Sequence, residues 1–475
     1  MSKTSNISVA VKKTLALSSF LMLFPLMEGC FTLSVDEGRA KFLKGNYDAS
    51  RLEMEKTEQA HMEASQKSVA SLTWDEAQKI VAKGPYAPMY RDALQGYFYM
   101  ALDALGQWRF NDAVAALDQM LAVHEQIATQ YAEPQVNEMS DEMKEQDLQS
   151  MMSLLSTGDL SDANTSEVVE KRKQHEEQFK EIWEKATAEL QRTDQYANNG
   201  LVSFYNPAAL LLAAFLNGFN GNPQARKTAE TCLTSIRGIA PGASYKIWKC
   251  LEKPREAFHG KVMVIVATGQ GPVLVSHNID LKGIIGTKVF AFTDLPSKAD
   301  SLSERNPNFD PMASMTIQTN GQDLNTEVAT VMYDSLNAEF QRKKSRMMRE
   351  QVVRVLIRDV VATATSLVIG LKYNKLAGWC IAAGWFFVRQ PLMAPDIRCM
   401  RNAPWAYHVA FLDIPEDRRL MLKIAHDPWA IPVDIPSSYD SAVVYVNLPG
   451  DASATNALQV LPVNFDNVST SQNQE

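Results

Sequence analysis

The chain has 475 residues, a length that suggests roughly two to four domains. Its 46% hydrophobic and 21% charged content is that of a globular protein with ample material for real cores. A formal net charge of −8 and a pI near 5.6 exclude a general nucleic-acid binder, which would carry a basic domain surface.

Residues Lys12 to Cys30 read KKTLALSSFLMLFPLMEGC. A basic n-region, an apolar run shorter than a membrane span and a small residue before a cysteine describe an export signal over residues 1–29. The cysteine directly after Gly29 makes Cys30 the candidate site for lipid attachment by acyl chains such as palmitate. Met27 and Glu28 depart from the usual lipoprotein pattern, so ordinary cleavage near Gly29 or an uncleaved anchor stay open. Phe31, in place of an aspartate, favours the periplasmic face of a bacterial outer membrane by analogy with sorting rules.

Residues 30–255 read as helices in pairs. The first pair lies in LKGNYDASRLEMEK, where Gly45 supplies a turn, Tyr47 an aromatic and Ala49 a small residue for close helix contact. In the second, Leu94, Phe98, Ala101 and Leu105 recur at spacings of three and four, one apolar helix face. Gly106 ends that helix, and Phe110, Ala113, Leu117 and Met120 form the face of its partner. The third begins at Pro207 and turns at Gly221-Asn222-Pro223, with Ala225, Ala229 and Leu233 on the second packing face. Gly45, Gly106, Phe110, Ala113, Gly221 and Ala225 are thus the expected packing positions of degenerate tetratricopeptide-like repeats, irregularly spaced. Such helices either present a concave surface to another chain or pack on the domain that follows. A polar insertion, 132–200, interrupts them. Its second part is a helix capped by Asn164 and Glu167 with charges alternating in sign.

From residue 256 the period changes, and 256–450 is expected to be a mixed β/α domain. KVMVIVATG, VLVSHNIDL, TKVFAF and MASMTIQTN read as strands. GQGP reads as the hairpin turn between the first two, since no lysine or following helix completes a phosphate cradle. The stretch 295–312 reads as a loop. A long helix is expected from about Thr326 to Leu371, with Leu336 and Phe340 in its buried stripe. Its basic cluster from Arg342 to Arg349 is either a solvated face or a surface for anionic lipid or wall polymer. Two apolar runs, 360–371 and 376–388, are too short to span and read as a buried helical hairpin, with a hairpin dipping into the bilayer as the alternative. Strands through Tyr407–Leu412, Leu420–Ala425 and SAVVYVNLP close the domain, and residues 451–475 are expected to be disordered. The fold class is therefore α+β, helical repeats followed by a β-rich domain interrupted by a long helix and an apolar hairpin.

Cys232, Cys250, Cys380 and Cys399 are candidate disulfide partners, paired by proximity if the compartment is oxidising, or buried free thiols. Seven histidines show no metal-ligand spacing, and neither GxSxG nor a P-loop is present. His426-Asp427, near Asp413 and Asp434, is the remaining catalytic candidate, and it reads more simply as a turn. No catalytic residue, metal or cofactor is therefore expected.

Taken together, the region before Cys30, GPYAPMYRDALQGYFYMALDALGQWRFNDA, NPAALLLAAFLNGFNGNPQA, the strands around GQGPV, NAEFQRKKSRMMREQVVRVLIRD and DIRCMRNAPWAYHVAFLDIP resemble a family of uncharacterised bacterial lipoproteins. Its members join tetratricopeptide-like helices to a C-terminal β-rich region. The resemblance implies an envelope protein with no assigned enzymatic activity. The expected function is a lipid-anchored scaffold that binds an unknown envelope protein. A cell-wall enzyme or ligand-binding lipoprotein using the β-rich half is the alternative.

Overall fold

The computed structural model describes residues 34–65, 90–132, 206–283, 286–319, 322–341, 399–424, 430–450 and 456–464. The export signal with Cys30, the insertion 132–200 beyond Ala132, the basic run 342–349, the apolar runs 360–371 and 376–388, and Cys380 lie outside these residues.

The helices are α1 Ser34–Leu43, α2 Tyr47–Ser65, α3 Tyr90–Gly106, α4 Phe110–Ala132, α5 Pro207–Asn220, α6 Pro223–Ser235 and α7 Pro241–Leu251, followed by a 3-10 turn Arg255–Phe258. The strands are β1 Lys261–Thr268, β2 Val275–Gly283, β3 Gly286–Asp294, β4 Met315–Thr319, β5 Gln322–Asn325, β6 Glu327–Val331, β7 Ala406–Asp413, β8 Arg419–Ile424, β9 Ala430–Asp434, β10 Ser441–Leu448 and β11 Ala457–Val463. A short helix, α8 Lys298–Arg305, lies between β3 and β4, and residues 332–341 are helical. The protein is α+β, and among the described residues no helix is long and apolar enough to cross a membrane.

Three layers follow from side-chain alternation. The five-stranded sheet runs β11-β10-β1-β7-β6, with β1 and β10 parallel and the other neighbours antiparallel. On one face Met263, Ile265, Tyr407, Phe411, Val443 and Leu461 pack against the helices, in one core with Phe98, Leu117 and Phe215. On the other face Val262, Val264, Val444 and Leu412 meet Ile317, Leu420 and Val433 of a four-stranded sheet, β5-β4-β8-β9. Covered on both faces, β1 must be apolar at every position, which is why VMVIVA does not alternate. Phe258, in the turn that separates the helical stretch from the first strand, is itself buried in the core the two share.

The structure departs from the sequence reading in several places. GQGP is not a hairpin turn, because β1 pairs with β10 and β7 while β2 pairs with β3. The segment is instead pinned sideways, Gly271 N–H donating to Ala403 O at 2.7 Å and Gln270 N–H to Asn306 Oδ1 at 2.7 Å. The helix expected from Thr326 begins only at Met332, since Glu327–Val331 pairs with β7 as an edge strand. Within 295–312, Ser297 caps α8 by accepting from Asp300 N–H. Beyond residue 450 the chain adds β11, paired along β10 from Ser441↔Val463 to Asn447↔Ala457, with Leu461 and Val463 fully buried.

One segment organises the helical layer. Glu327 of β6 accepts from Gly242 and Ala243 N–H at the start of α7, at 2.9 and 2.8 Å. Two residues on from Val328, the Thr330 hydroxyl accepts from Ala208 N–H at the start of α5 and donates to its cap, Asn206. Glu339 accepts from Tyr90 and Arg91 N–H at the start of α3. Three helix N-termini thus take their capping acceptors from residues 327–339, where an anionic or lone-pair oxygen meets orphan N–H groups and the positive end of the helix dipole.

Candidate functional site

The first two helix pairs are joined by turns with the same hydrogen bonds. After α1, Gly45 N–H bonds Phe42 O and Asn46 N–H bonds Lys41 O; after α3, Trp108 N–H bonds Leu105 O and Arg109 N–H bonds Ala104 O. Each is a Schellman cap, which needs its penultimate residue in the left-handed region. Gly45 meets that need at φ +73° and Trp108 at φ +61°. For a residue with a Cβ the conformation costs roughly 1–2 kcal/mol. Superposing the bonds aligns Tyr47 with Phe110 and Ser50 with Ala113, so the buried small residue of the first pair is Ser50, while Ala49 is half-buried.

A Cβ on Gly106 would meet the Tyr47 ring at 2.5 Å, so the glycine allows the ring to lie on the helix. Phe110 is buried with its ring 5.4 Å from Phe219, and Ala113 and Ala225 are buried. Gly221 closes α5 at φ +72°, its N–H on Asn217 O, a different cap from the other two turns.

Around Trp108 a corner of the surface forms. The indole is 51% exposed and meets the Tyr439 ring edge-on at 5.1 Å. Tyr439 lies in the β9–β10 connection, its carbonyl accepting from Arg418 Nη2 at 2.8 Å, and Arg418 is itself left-handed at φ +56°. Gln107 Nε2 donates to Asp48 Oδ1 at 2.8 Å, and Arg109 pairs with Asp112. A second patch lies on α7, where Tyr245 and Trp248 are 62% and 40% exposed, one turn apart, with Lys249 Nζ 5.6 Å from the Tyr245 ring centre.

Between helices and sheet lies a buried polar network. Arg39 of α1 donates to Tyr99 Oη at 2.8 Å and to Asn447 Oδ1 at 2.6 Å; Tyr99 Oη is 3.0 Å from both Tyr407 Oη and Tyr445 Oη. Tyr407 donates in turn to Gln95 Oε1 at 2.9 Å. Burial pushes the Tyr407 and Tyr445 hydroxyls well above the usual tyrosine range, so they stay protonated and serve as donors. A neighbouring set fixes the strand entry: Asp36 accepts from Arg401 and Asn402 N–H, Asp92 from Met400 N–H, and Arg91 pairs with Asp92 at 2.7 Å. Apart from Arg91 Nη1, which has no hydrogen-bond partner among the described residues, these groups bond one another or the backbone, an arrangement that locks layers together.

Among the described residues, the groups with chemical potential are buried or paired. Cys232, Cys250 and Cys399 are free and buried, so the proximity pairing of Cys232 with Cys250 is not formed. Burial pushes the Cys232 thiol up to about 12 and Cys399 to about 11, which holds both as thiols rather than thiolate nucleophiles. His426-Asp427 lies outside the described residues, while Asp413 pairs with Lys261 and Asp434 with Arg419. His408 is buried, its Nε2 2.8 Å from Pro311 O. Among the described residues no three His, Cys, Asp or Glu are grouped to hold a metal. No known family model, curated protein or solved structure matches the chain.

What sequence reasoning missed at this site is Trp108. The signal was available: WRF stands where the first pair has GNY, a tryptophan at the position its twin gives to glycine.

Proposed function

We propose that the protein is a lipid-anchored scaffold of the bacterial envelope, held at the periplasmic face of the outer membrane through Cys30, that binds another envelope protein through its helical layer. We read α1–α2, α3–α4 and α5–α6 as three degenerate tetratricopeptide-like pairs, a reading supported by the matched turns of the first two. The observation that carries the function is the outward side of that layer. Its inner side is committed to the sheet, yet Tyr245, Trp248 and Trp108 stay in solvent, with Lys249 beside the Tyr245 ring and Arg109 next in sequence to Trp108. Tryptophan, tyrosine and arginine on an exposed polar-rimmed surface are the residue types that dominate binding energy at protein interfaces.

Two measurements test the reading. In-cell cross-linking followed by affinity purification is expected to recover a defined partner with the wild type and to lose it with Tyr245→Ser/Trp248→Ser combined with Trp108→Ser, at unchanged melting temperature or above. Recovery of no partner from wild-type cells sinks it. Metabolic labelling with a fatty-acid analogue is expected to mark the wild type and not Cys30→Ser; equal labelling removes the anchor.

A further inference from the structure

Trp108 occupies a position that the twin turn fills with Gly45, and the two turns carry the same hydrogen bonds. Tryptophan therefore sits in a left-handed conformation that glycine adopts freely. Packing within the fold does not account for it, because the indole is 51% exposed and its ring contact is a single edge-on approach to Tyr439. Backbone strain of this kind clusters at functional sites, where the surrounding structure holds it in place.

The charges around the pair give the partner its chemistry. Asp48, one residue on from Tyr47 in the turn below, bonds the neutral Gln107 amide, and Asp440 follows Tyr439 directly. Neither carboxylate has a cation among the described residues. The nearby arginines are already engaged, Arg109 with Asp112, Arg51 with Glu55, and Arg418 with the carbonyls of Ile435, Pro436 and Tyr439. An open indole face attracts a cation through its ring quadrupole, and flanking carboxylates add Coulomb attraction. A guanidinium satisfies both at once, since it is planar enough to stack and presents paired N–H donors to a carboxylate.

We propose that the Trp108–Tyr439 corner, flanked by Asp48 and Asp440, docks an arginine-bearing segment of the partner protein. This rests on the scaffold reading and names the partner chemistry for one part of that surface.

The test uses the full chain as wild type, Trp108→Gly and Asp48→Asn/Asp440→Asn. The probes are fluorescein-labelled peptides of alternating arginine and serine, lysine and serine, or glutamate and serine, followed by fluorescence anisotropy. The arginine peptide is expected to bind the wild type most tightly and the glutamate peptide not at all. Trp108→Gly and Asp48→Asn/Asp440→Asn are each expected to weaken arginine-peptide binding by about tenfold, and unchanged affinity in the asparagine variant overturns the carboxylate part of the corner and with it the proposal. The Trp108→Gly variant is expected to melt at or above the wild-type temperature, because glycine relieves the turn. Unchanged affinity in Trp108→Gly would show only general attraction to an acidic chain and overturns the proposal. A lowered melting temperature in that variant makes Trp108 a packing residue and overturns it too. A cellular partner still recovered with Trp108→Gly removes this corner while the scaffold stands. Discrimination among peptides with no recoverable cellular partner keeps the corner and removes the scaffold.

Discussion

Asp103 lies on α3 facing Ser50 and Arg51 of α2, buried, with the Ser50 hydroxyl beside its carboxyl. Burial, with a smaller contribution from the Asp48 charge and against the pull of Ser50 and Arg51, pushes its carboxyl up to about 8. The native state therefore holds a proton that the unfolded chain releases above about 4, and stability contributed by this group falls as pH rises from there to about 8. Each pH unit inside the window is worth at most about 1.4 kcal/mol. Asp103→Asn removes the titration, so its stability relative to wild type, measured by urea unfolding, is expected to be clearly higher at pH 8 than at pH 5. A difference that does not change between the two would mean the carboxyl is hydrated in the native protein. Nearby, two glycines make a graded comparison. A Cβ on Gly218 would lie 2.3 Å from the Phe258 ring, which is buried in the shared core, whereas that on Gly106 meets Tyr47, a half-buried ring at the surface. Gly218→Ala is expected to cost about 2–3 kcal/mol and Gly106→Ala about 1 kcal/mol by denaturant unfolding, since overpacking is worse where the neighbour has nowhere to move. In the sequence Gly106 stands at the end of an apolar helix and reads as a packing position from the likeness of its stretch to a tetratricopeptide repeat. Gly218 was hidden inside an apolar run, and its role depends on Phe258, which only the fold brings near.

Helices α3 and α7 owe their starts to residues far along the chain, and α5 adds Thr330 to its local cap, Asn206. Glu339 is buried and bonds the first N–H groups of α3, so Glu339→Ala leaves one buried and one part-buried donor without a carboxylate. The expected loss is about 2–3 kcal/mol, with faster amide exchange at Tyr90 and Arg91. Glu327 caps α7 closer to solvent, and Glu327→Ala is expected to cost about 1 kcal/mol, seen in exchange at Gly242 and Ala243. Equal exchange at these amides in the variants would show that water caps them as well. Such capping is invisible to local reading, because a cap is sought one turn away and here stands more than eighty residues away. The helix pairs themselves were legible from apolar spacing and turn glycines. β1 and β10 were legible too, as runs of β-branched residues. β6 was not, because Glu327–Val331 continues smoothly into the apolar spacing of residues 332–341, and only pairing with β7 separates strand from helix. The corner at Trp108 was half legible: the turn could be seen, but that tryptophan stays in solvent beside Tyr439 is a property of tertiary packing.

The central sheet belongs to both halves of the chain. Its helix-facing residues, Met263, Ile265, Phe411, Val443 and Leu461, share one core with the helices, and its other face is closed by the second sheet. Strand β11 is the last piece of that sheet and was unreadable locally, since ALQVLPV lies in a polar stretch and carries Pro462, tolerated at an edge strand. It also ties the ends of the chain together. Tyr47 Oη donates to Gln459 Oε1 at 2.7 Å, and Gln459 Nε2 donates to Leu43 O at 3.3 Å, so the first helix turn is held by the last strand. Ending the chain after Gly450 would strip a neighbour from β10, uncover Leu461's place in the helix core and release Tyr47 from Gln459, the ring that lies on Gly106. The damage should therefore reach the N-terminal helices. The truncated chain is expected to lose cooperative unfolding in both near- and far-ultraviolet circular dichroism, while Leu461→Ala in the full chain lowers stability by about 2–5 kcal/mol with the transition still single. If instead the truncated chain keeps the wild-type melting temperature, β11 contributes nothing to the shared core. If helix and sheet signals then melt at separate temperatures, the two halves are independent units, and the docking surface would have to be sought on the helices alone.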